Sequence, residues 1–164
     1  MRSGLRSWMV VLIAVVVGTG IGWIYSHPPL RSTGLSERYT GDKTLAYGID
    51  LQNTGRWPLT LTGVRVNGEN WEYPRAMAVA NFTDTHLAGN AAIDLDANGH
   101  KLKTGQVKGW EIEPLQRVLE KGEGSYGLRL DWEGMPSQQT EVIIYYRYLG
   151  LPLRHAVTSI WAIP

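Results

Sequence analysis

The sequence predicts an all-β fold, a two-sheet antiparallel β-sandwich preceded by one N-terminal transmembrane helix. One uncharged apolar segment lies near the N-terminus. Past residue 41, apolar and polar residues alternate with the period of two that half-buried strands show. The alternating runs are short, and turn residues separate them, which is typical of a sandwich. We therefore divide the chain into a cytoplasmic N-terminus at 1–7, a transmembrane helix at 8–25, a stalk at 26–41 and a sandwich at 42–164.

Length and composition exclude several classes of protein. A chain of 164 residues suffices for one domain and an appendage, and a domain of about 130 residues buries about two thirds of its unfolded surface. Beyond Arg2 and Arg6 the chain carries 14 basic and 15 acidic residues, so it lacks the excess of cations that a nucleic-acid-binding protein needs. The absence of cysteine excludes disulfides, thiolate metal sites and cysteine nucleophiles.

The apolar segment WMVVLIAVVVGTGIGWIY, residues 8–25, has the length of a membrane span. As a helix rising about 1.5 Å per residue it covers about 27 Å. Trp8 at one end and Trp23 and Tyr25 at the other fit the two interfacial belts, and Arg2 and Arg6 favour a cytoplasmic N-terminus. We expect the remainder of the chain to lie outside the cytoplasm, as the C-terminal domain of a single-pass membrane protein.

A cleaved signal peptide is the alternative for this segment, because Gly18, Gly20 and Gly22 place small residues near its end. The segment has no Ala-x-Ala site, and it exceeds the about 7 to 15 residues of a signal-peptide core, so we favour a retained anchor. The Pro28-Pro29 pair should end the helix, and the polar residues up to Gly41 read as a short stalk.

Strand predictions follow from the alternation. Residues 44–52 and 59–66 bracket the turn sequence Asn-Thr-Gly-Arg-Trp-Pro, and the second run keeps its apolar face only if a β-bulge absorbs one residue at Thr62-Gly63. Residues 126–132 form a further strand, and 141–149 with 153–161 form a closing hairpin whose first strand is central, being apolar on both faces. Weaker strand candidates are 71–81, 91–96 and 100–112, and we expect 114–122 to be an irregular crossing between sheets and not a helix.

Three stretches carry a resemblance to known proteins: LQNTGRWPLTLTGVRV, PLQRVLEKGEGSYGLRLDW and VIIYYRYLGLPLRHAV. Together they resemble the layout of membrane-anchored bacterial extracytoplasmic proteins with an immunoglobulin-like domain, and the first hairpin is similar to those of WHy-type and LEA-type sandwiches. The resemblance covers about half the chain and rests on turns and strands. It implies an immunoglobulin-like fold and topology, and it brings no catalytic residues with it.

A possible interaction surface consists of residues in and near the turns: Arg56, Trp57, Trp71, Tyr73 and Trp110. Exposed loop aromatics serve binding, and a flat strip of such rings suits carbohydrate. Large aromatics are more often buried, so we expect the indole of Trp57 to fold over the end of the sandwich as a plug and most indoles to fill the core.

The metal and catalytic motifs in the sequence are incomplete. Asp94, Asp96 and Asn98 match the first ligand positions of a calcium loop, but Gly105 stands where the bidentate glutamate belongs, so Asn98-Gly99 is better explained as a hairpin turn. GEGSYG, residues 122–127, has the spacing of a dinucleotide-binding loop but precedes a strand, and it reads as a turn. The histidines lack zinc-site spacing. We expect no metal, no cofactor and no catalytic residue.

The sequence therefore predicts a membrane-tethered extracytoplasmic interaction or structural module without catalytic activity. Its partners would be the membrane, through one span, and a protein at the cell surface. The alternative is a module that binds cell-wall polysaccharide or other carbohydrate through exposed aromatics. Nucleic acid is not expected as a partner.

Overall fold

The computed structural model describes residues 2–39, 44–80, 103–121, 124–133 and 139–160. The chain begins with helix α1, Arg2–Ser26, of 25 residues. Its stretch Trp8–Ser26 has a mean hydropathy of 2.1, and none of its residues is fully buried. The helix is thus long and apolar enough to cross a membrane, properties that a signal sequence shares.

Two antiparallel sheets follow the helix, as the alternation predicted. The strands of the described residues are β1 (Leu30–Tyr39), β2 (Thr44–Asn53), β3 (Leu59–Val66), β4 (Glu69–Trp71), β5 (Ala76–Ala80), β6 (Lys103–Gln106), β7 (Glu111–Ile112), β8 (Tyr126–Glu133), β9 (Gln139–Tyr148) and β10 (Leu151–Ile160). The first sheet has the strand order β1-β2-β8-β5-β6. The second has the order β10-β9-β3-β4, and β7 pairs with β3 as well.

The predicted stalk is wrong for most of its length, because residues 30–39 form strand β1. This strand pairs with β2 from Leu30 opposite Asn53 to Tyr39 opposite Leu45, with one irregularity between Ser32 and Gly34. Its serine, threonine and arginine content hid it in the sequence. An edge strand pairs on one side only and tolerates such residues, and Leu30, only 1% exposed, supplies its contact with the core.

Strands β2 and β3 do not form the expected hairpin. Strand β2 belongs to the first sheet and β3 to the second, so the loop at residues 54–58 carries the chain from one sheet to the other. The predicted bulge is confirmed, since the register of β3 against β9 shifts between Leu61 and Gly63. The closing hairpin and the central place of β9 are confirmed too. The turn of the closing hairpin is Leu149-Gly150. Pro152 lies in β10, an edge strand among the described residues, where a proline without an N–H is tolerated.

The segment predicted as an irregular crossing contains a helix, α2 (Leu115–Lys121). It connects β7 of the second sheet to β8 of the first, so the crossing exists but is helical. Val118 is buried and fixes the helix on the core, and the guanidinium of Arg117 lies 3.2 Å from the carboxylate of Glu113 one turn earlier. Leu115, Val118 and Leu119 have helical spacing, but a segment of seven residues is too short for that spacing to establish a helix, which explains the wrong prediction.

The two sheets enclose one shared core. Its largest fully buried side chains are Leu30, Ile49, Leu51, Leu59, Leu61, Ile112, Leu128, Leu130, Ile144 and Tyr146. Burial raises the pKa of Tyr146 to about 12, and the backbone of Leu30 has a smaller, opposite effect. The Tyr146 hydroxyl and the Leu30 backbone do not have regular hydrogen-bond geometry.

Only one indole, that of Trp71 at 4% exposure, is fully buried among the described side chains. The expectation that most indoles fill the core is therefore not met by Trp57 and Trp110, while the side chain of Trp132 and residue Trp161 lie outside the description.

Candidate functional site

The five residues of the predicted interaction surface lie in three different places. Arg56 and Trp57 lie at the end of the sheets where α1 joins them, which we call the helix-proximal end. Trp71 and Tyr73 line a groove farther along β3. Trp110 is half-buried and packs on the first sheet beside Gly105.

Asn53 organises the loop at the helix-proximal end. Its side-chain amide donates to the carbonyl oxygens of Trp57 at 2.8 Å and Ile112 at 3.0 Å, and its side-chain oxygen accepts from the backbone N–H of Gly55 at 2.9 Å. The residue is 1% exposed; its hydrogen bond to Ile112 is buried, and the other two are part-buried. Together, these bonds fix the direction in which the chain leaves β2 and enters β3.

Trp57 does not plug the end of the sandwich, because its side chain is 55% exposed. Tyr148 occupies that place instead, at 7% exposure. Its hydroxyl accepts a hydrogen bond of 3.1 Å from the backbone N–H of Arg56, and it lies so close to Gly55 that a Cβ there would be 2.6 Å from the hydroxyl oxygen. The space under the loop is filled by this ring, and the indole is turned outward.

The groove has a volume of about 750 Å³ and lies beside the bulge of β3. On this edge of β3, strand β7 pairs with Leu59 and Thr60, and the backbone of Leu61 exchanges hydrogen bonds with Gly109 and Trp110. Pairing among the described residues then stops and resumes with β4 at Val64. A bulge interrupts the regular ladder, so the gap at Thr62-Gly63 becomes the floor of the groove.

Aromatic and charged side chains share this groove. Tyr73, 58% exposed, is the most accessible ring in the lining, and the indole of Trp71 is buried in the wall. The guanidinium of Arg65 lies 5.9 Å from the ring centroid of Tyr145, and its Nε donates to the side-chain oxygen of Asn70 at 2.8 Å. Polar and charged groups complete the lining: Thr62, Glu72, Gln106 and Lys108. Such a set offers hydrogen bonds of both kinds beside a ring on which a ligand can stack.

Cation–π contacts hold two of the tryptophans in place. The guanidinium of Arg75 lies 4.1 Å from the ring centroid of Trp71, and the ammonium of Lys103 lies 5.7 Å from that of Trp110. A Cβ at Gly105 would lie 2.6 Å from the indole of Trp110, so this glycine makes room for the ring. Both indoles are thus engaged within the fold, and they do not form the flat strip of exposed rings that the carbohydrate alternative would use.

The structure does not describe the residues that the sequence offers as calcium ligands. Asp94, Asp96 and Asn98 lie outside the described residues, as does the sequence Gly122-Glu123 that opens GEGSYG. Within the described part of the chain, no group of three or more histidine, aspartate or glutamate side chains is placed to hold a metal ion. Tyr126 and Gly127, the end of that glycine-rich stretch, belong to strand β8.

No protein-family model matches the chain, and no curated protein is significantly similar to it. The resemblance drawn from the sequence therefore holds for architecture alone, an N-terminal apolar helix followed by a body of antiparallel sheets.

Sequence reasoning missed Arg65, Gln106, Lys108 and Tyr145 as parts of the groove. They come from three separate segments and carry no motif. The signal that could have found them was the predicted bulge at Thr62-Gly63, because bulges commonly occur beside functional sites and the exposed side chains around one are natural candidates.

Proposed function

We propose that this chain is a membrane-tethered module that binds a partner protein outside the cytoplasm, and that the groove beside the bulge is where the partner binds. In this proposal α1 is retained as a signal anchor, the sheets form an immunoglobulin-like sandwich, and the chain carries no catalytic activity. The observation that carries it is the groove itself, a concave surface of about 750 Å³ with an accessible ring and an interrupted strand edge at its floor.

An extended segment of a partner fits the shape and chemistry of this site. An interrupted edge offers main-chain groups to a short extended peptide, and side-chain pockets beside the edge give specificity. Arg65 and Lys108 supply positive charge and Glu72 negative charge, so a segment of mixed charge is accommodated. Tyr73 provides the rigid ring that commonly anchors an interface.

A carbohydrate-binding module remains the second candidate. Tyr73 lies exposed beside Asn70, Glu72 and Gln106, and a ring flanked by amides and a carboxylate suits a sugar. The burial of Trp71 argues against a broad stacking platform, because one accessible ring holds one sugar unit where a polysaccharide binder would use several.

Photo-crosslinking on intact cells tests the proposal. A photoreactive phenylalanine at Tyr73 should capture one discrete protein, whereas the same residue at Thr158, exposed on the edge strand β10, should not. Capture of polysaccharide at position 73 would favour the second candidate. If the same crosslinked products form at positions 73 and 158, or if no crosslinked product forms at position 73, binding at the groove would be contradicted.

A further inference from the structure

Helix α1 joins the sheets without a flexible connection. Strand β1 begins at Leu30, and three residues separate it from the end of the helix at Ser26. The backbone N–H and the hydroxyl of Thr54 both donate to the carbonyl of Pro29, at 2.8 and 2.9 Å. Ile24, in the last turn of the helix, packs against the core. The helix-proximal end is therefore held close to the end of the helix.

This arrangement places the helix-proximal end at the depth of lipid head groups. Three extended residues span at most about 10 Å. The polar layer on each side of a bilayer is about 5 to 8 Å thick. With Trp23 and Tyr25 at the interface, the end of the sheets comes into reach of that layer when α1 spans the membrane.

Exposed apolar side chains are concentrated at this same end. Four large apolar side chains outside α1 are exposed among the described residues, and three of them lie here: Trp57 at 55%, Leu119 at 58% and Leu149 at 57%. The Arg56–Tyr148 hydrogen bond brings the neighbouring residues Trp57 and Leu149 to the same end of the sheets. Leu119 lies on α2 beside the end of β2. The fourth, Tyr73, belongs to the groove.

Leu149 has a backbone conformation, with positive φ, that disfavours leucine. Its φ is 52°, followed by Gly150 at 80°, which is the geometry of a two-residue turn that prefers Asn-Gly. The turn between β3 and β4, Asn67-Gly68, has φ values of 49° and 86° and carries the preferred pair. A leucine with positive φ is strained, and this one remains 57% exposed within the chain. A contact outside the chain would account for a leucine at this position.

We propose that Trp57, Leu119 and Leu149 form a lipid-contacting face that rests in the head-group layer of the membrane spanned by α1. Indole is amphipathic and prefers this layer, and the exposed Arg56 beside it is placed to meet lipid phosphate. The inference rests on the anchor of the proposed function, and it does not depend on the groove or its partner.

Depth measurements on the full chain test this face, and the absence of native cysteine makes single labels specific. An environment-sensitive fluorophore is attached at Leu149→Cys, with Asn67→Cys as its matched control, since the two positions open two-residue turns at opposite ends of the sheets with φ values of 52° and 49°. A third label at Val17→Cys reports on the anchor. Each protein is placed in phosphatidylglycerol nanodiscs, one copy per disc, with nitroxides on the lipid head groups or acyl chains.

The expected result is that head-group nitroxides reduce the fluorescence at position 149 at least two-fold and leave position 67 unchanged, while acyl-chain nitroxides quench position 17. Quenching at 17 without quenching at 149 would overturn the lipid-contacting face and leave the anchor standing. No quenching at 17 would remove the anchor and the face with it.

A second measurement keeps the test independent of the label at 149. A fluorophore at Arg56→Cys should be quenched in the otherwise native chain. Trp57→Ser together with Leu149→Asn should reduce that quenching at least two-fold while circular dichroism stays unchanged. Unchanged quenching would mean that these two side chains do not hold the end against the lipid.

Discussion

At the residue scale, the direction of the connection between the two sheets depends on Asn53. Its three hydrogen bonds join the end of β2, the loop and strand β7, and the residue is fully enclosed. Asparagine is suited to this place because its amide both donates twice and accepts, which an apolar residue of similar size cannot do.

Asn53→Ala should lower the free energy of unfolding by about 2 to 3 kcal/mol, because the carbonyl of Ile112 would remain buried, and that of Trp57 part-buried, without their donor. Urea unfolding followed by circular dichroism measures this. Asn70→Ala, the same change at an exposed asparagine, should cost less than about 0.5 kcal/mol. Equal losses at the two positions would contradict the organising role of Asn53.

Gly55→Ala should be destabilising by about 1 to 3 kcal/mol, because the new Cβ would lie 2.6 Å from the hydroxyl of Tyr148 and the ring has little room to move. Gly63→Ala is the matched change, since a Cβ there meets nothing within 4 Å. Thermal unfolding of the two variants compares them. A loss at Gly63 as large as that at Gly55 would show that glycine is needed at both for backbone reasons and not for space.

The loop residues show how far sequence reasoning reaches at this scale. The turn around Asn53 and Gly55 was predictable from residue type. Which aromatic ring would fill the end of the sheets was not, because Tyr148 lies 90 residues beyond the loop, whereas Trp57 is part of the loop. Burial of a given ring depends on packing between distant segments. Residue type alone favoured burial of Trp57, whereas the buried ring is that of Tyr148.

At the element scale, the two long edge strands β1 and β10 are joined along one side of the fold. The imidazole of His155 on β10 lies 3.2 Å from the hydroxyl of Ser32 on β1, which links the second sheet to the first. The ring is half-buried, and burial lowers the pKa of His155 below its usual value.

Stability should therefore fall on acidification through the titration of His155. The folded pKa is lowered, so the stabilisation is present above about pH 6.5 and is lost as the pH falls through the folded pKa. Melting temperatures measured from pH 7.5 to pH 5 should decrease, and His155→Gln, which cannot take up a proton, should flatten that part of the curve. The same decrease in the variant would assign the pH dependence to other groups.

Leu149→Asn should stabilise the isolated chain by about 1 kcal/mol, because asparagine adopts positive φ with less strain than leucine. Thermal unfolding in detergent should show a higher midpoint, and Asn67→Leu in the corresponding turn should lower it. A lower midpoint for Leu149→Asn would mean that the leucine already contributes to packing within the chain.

Elements with a strong local pattern were predictable, and those defined by their surroundings were not. The bulge of β3 was visible because the alternation changes phase at Thr62-Gly63. Strand β1 was missed because its sequence is rich in serine, threonine and arginine, and helix α2 because it is short and buries only Val118. The change of sheet between β2 and β3 was missed because a turn sequence looks the same whether the following strand pairs locally or crosses to another sheet.

At the scale of the whole molecule, the proposed arrangement gives the two ends of the chain different surroundings. A cysteine at Glu69, exposed in the turn region far from the helix, should react with a membrane-impermeant maleimide on intact spheroplasts. A cysteine at Arg2 should react only after permeabilisation, as a cytoplasmic N-terminus requires. Reaction of both without permeabilisation, or of position 2 alone, would contradict the orientation, and loss of the N-terminal residues from the mature protein would show that α1 is a cleaved signal.

The short, hydrogen-bonded junction between α1 and β1 also limits where a binding event can occur. A domain on a long linker can move far from its anchor, whereas in this chain three residues and two hydrogen bonds keep the sheets close to the end of α1. Six residues of strand β3 separate Leu59 at the helix-proximal end from Arg65 in the groove, so the distance between them is at most about 20 Å. If α1 spans a membrane, a ligand that docks in the groove must come within that distance of the lipid surface, which favours ligands that are themselves attached to the same membrane.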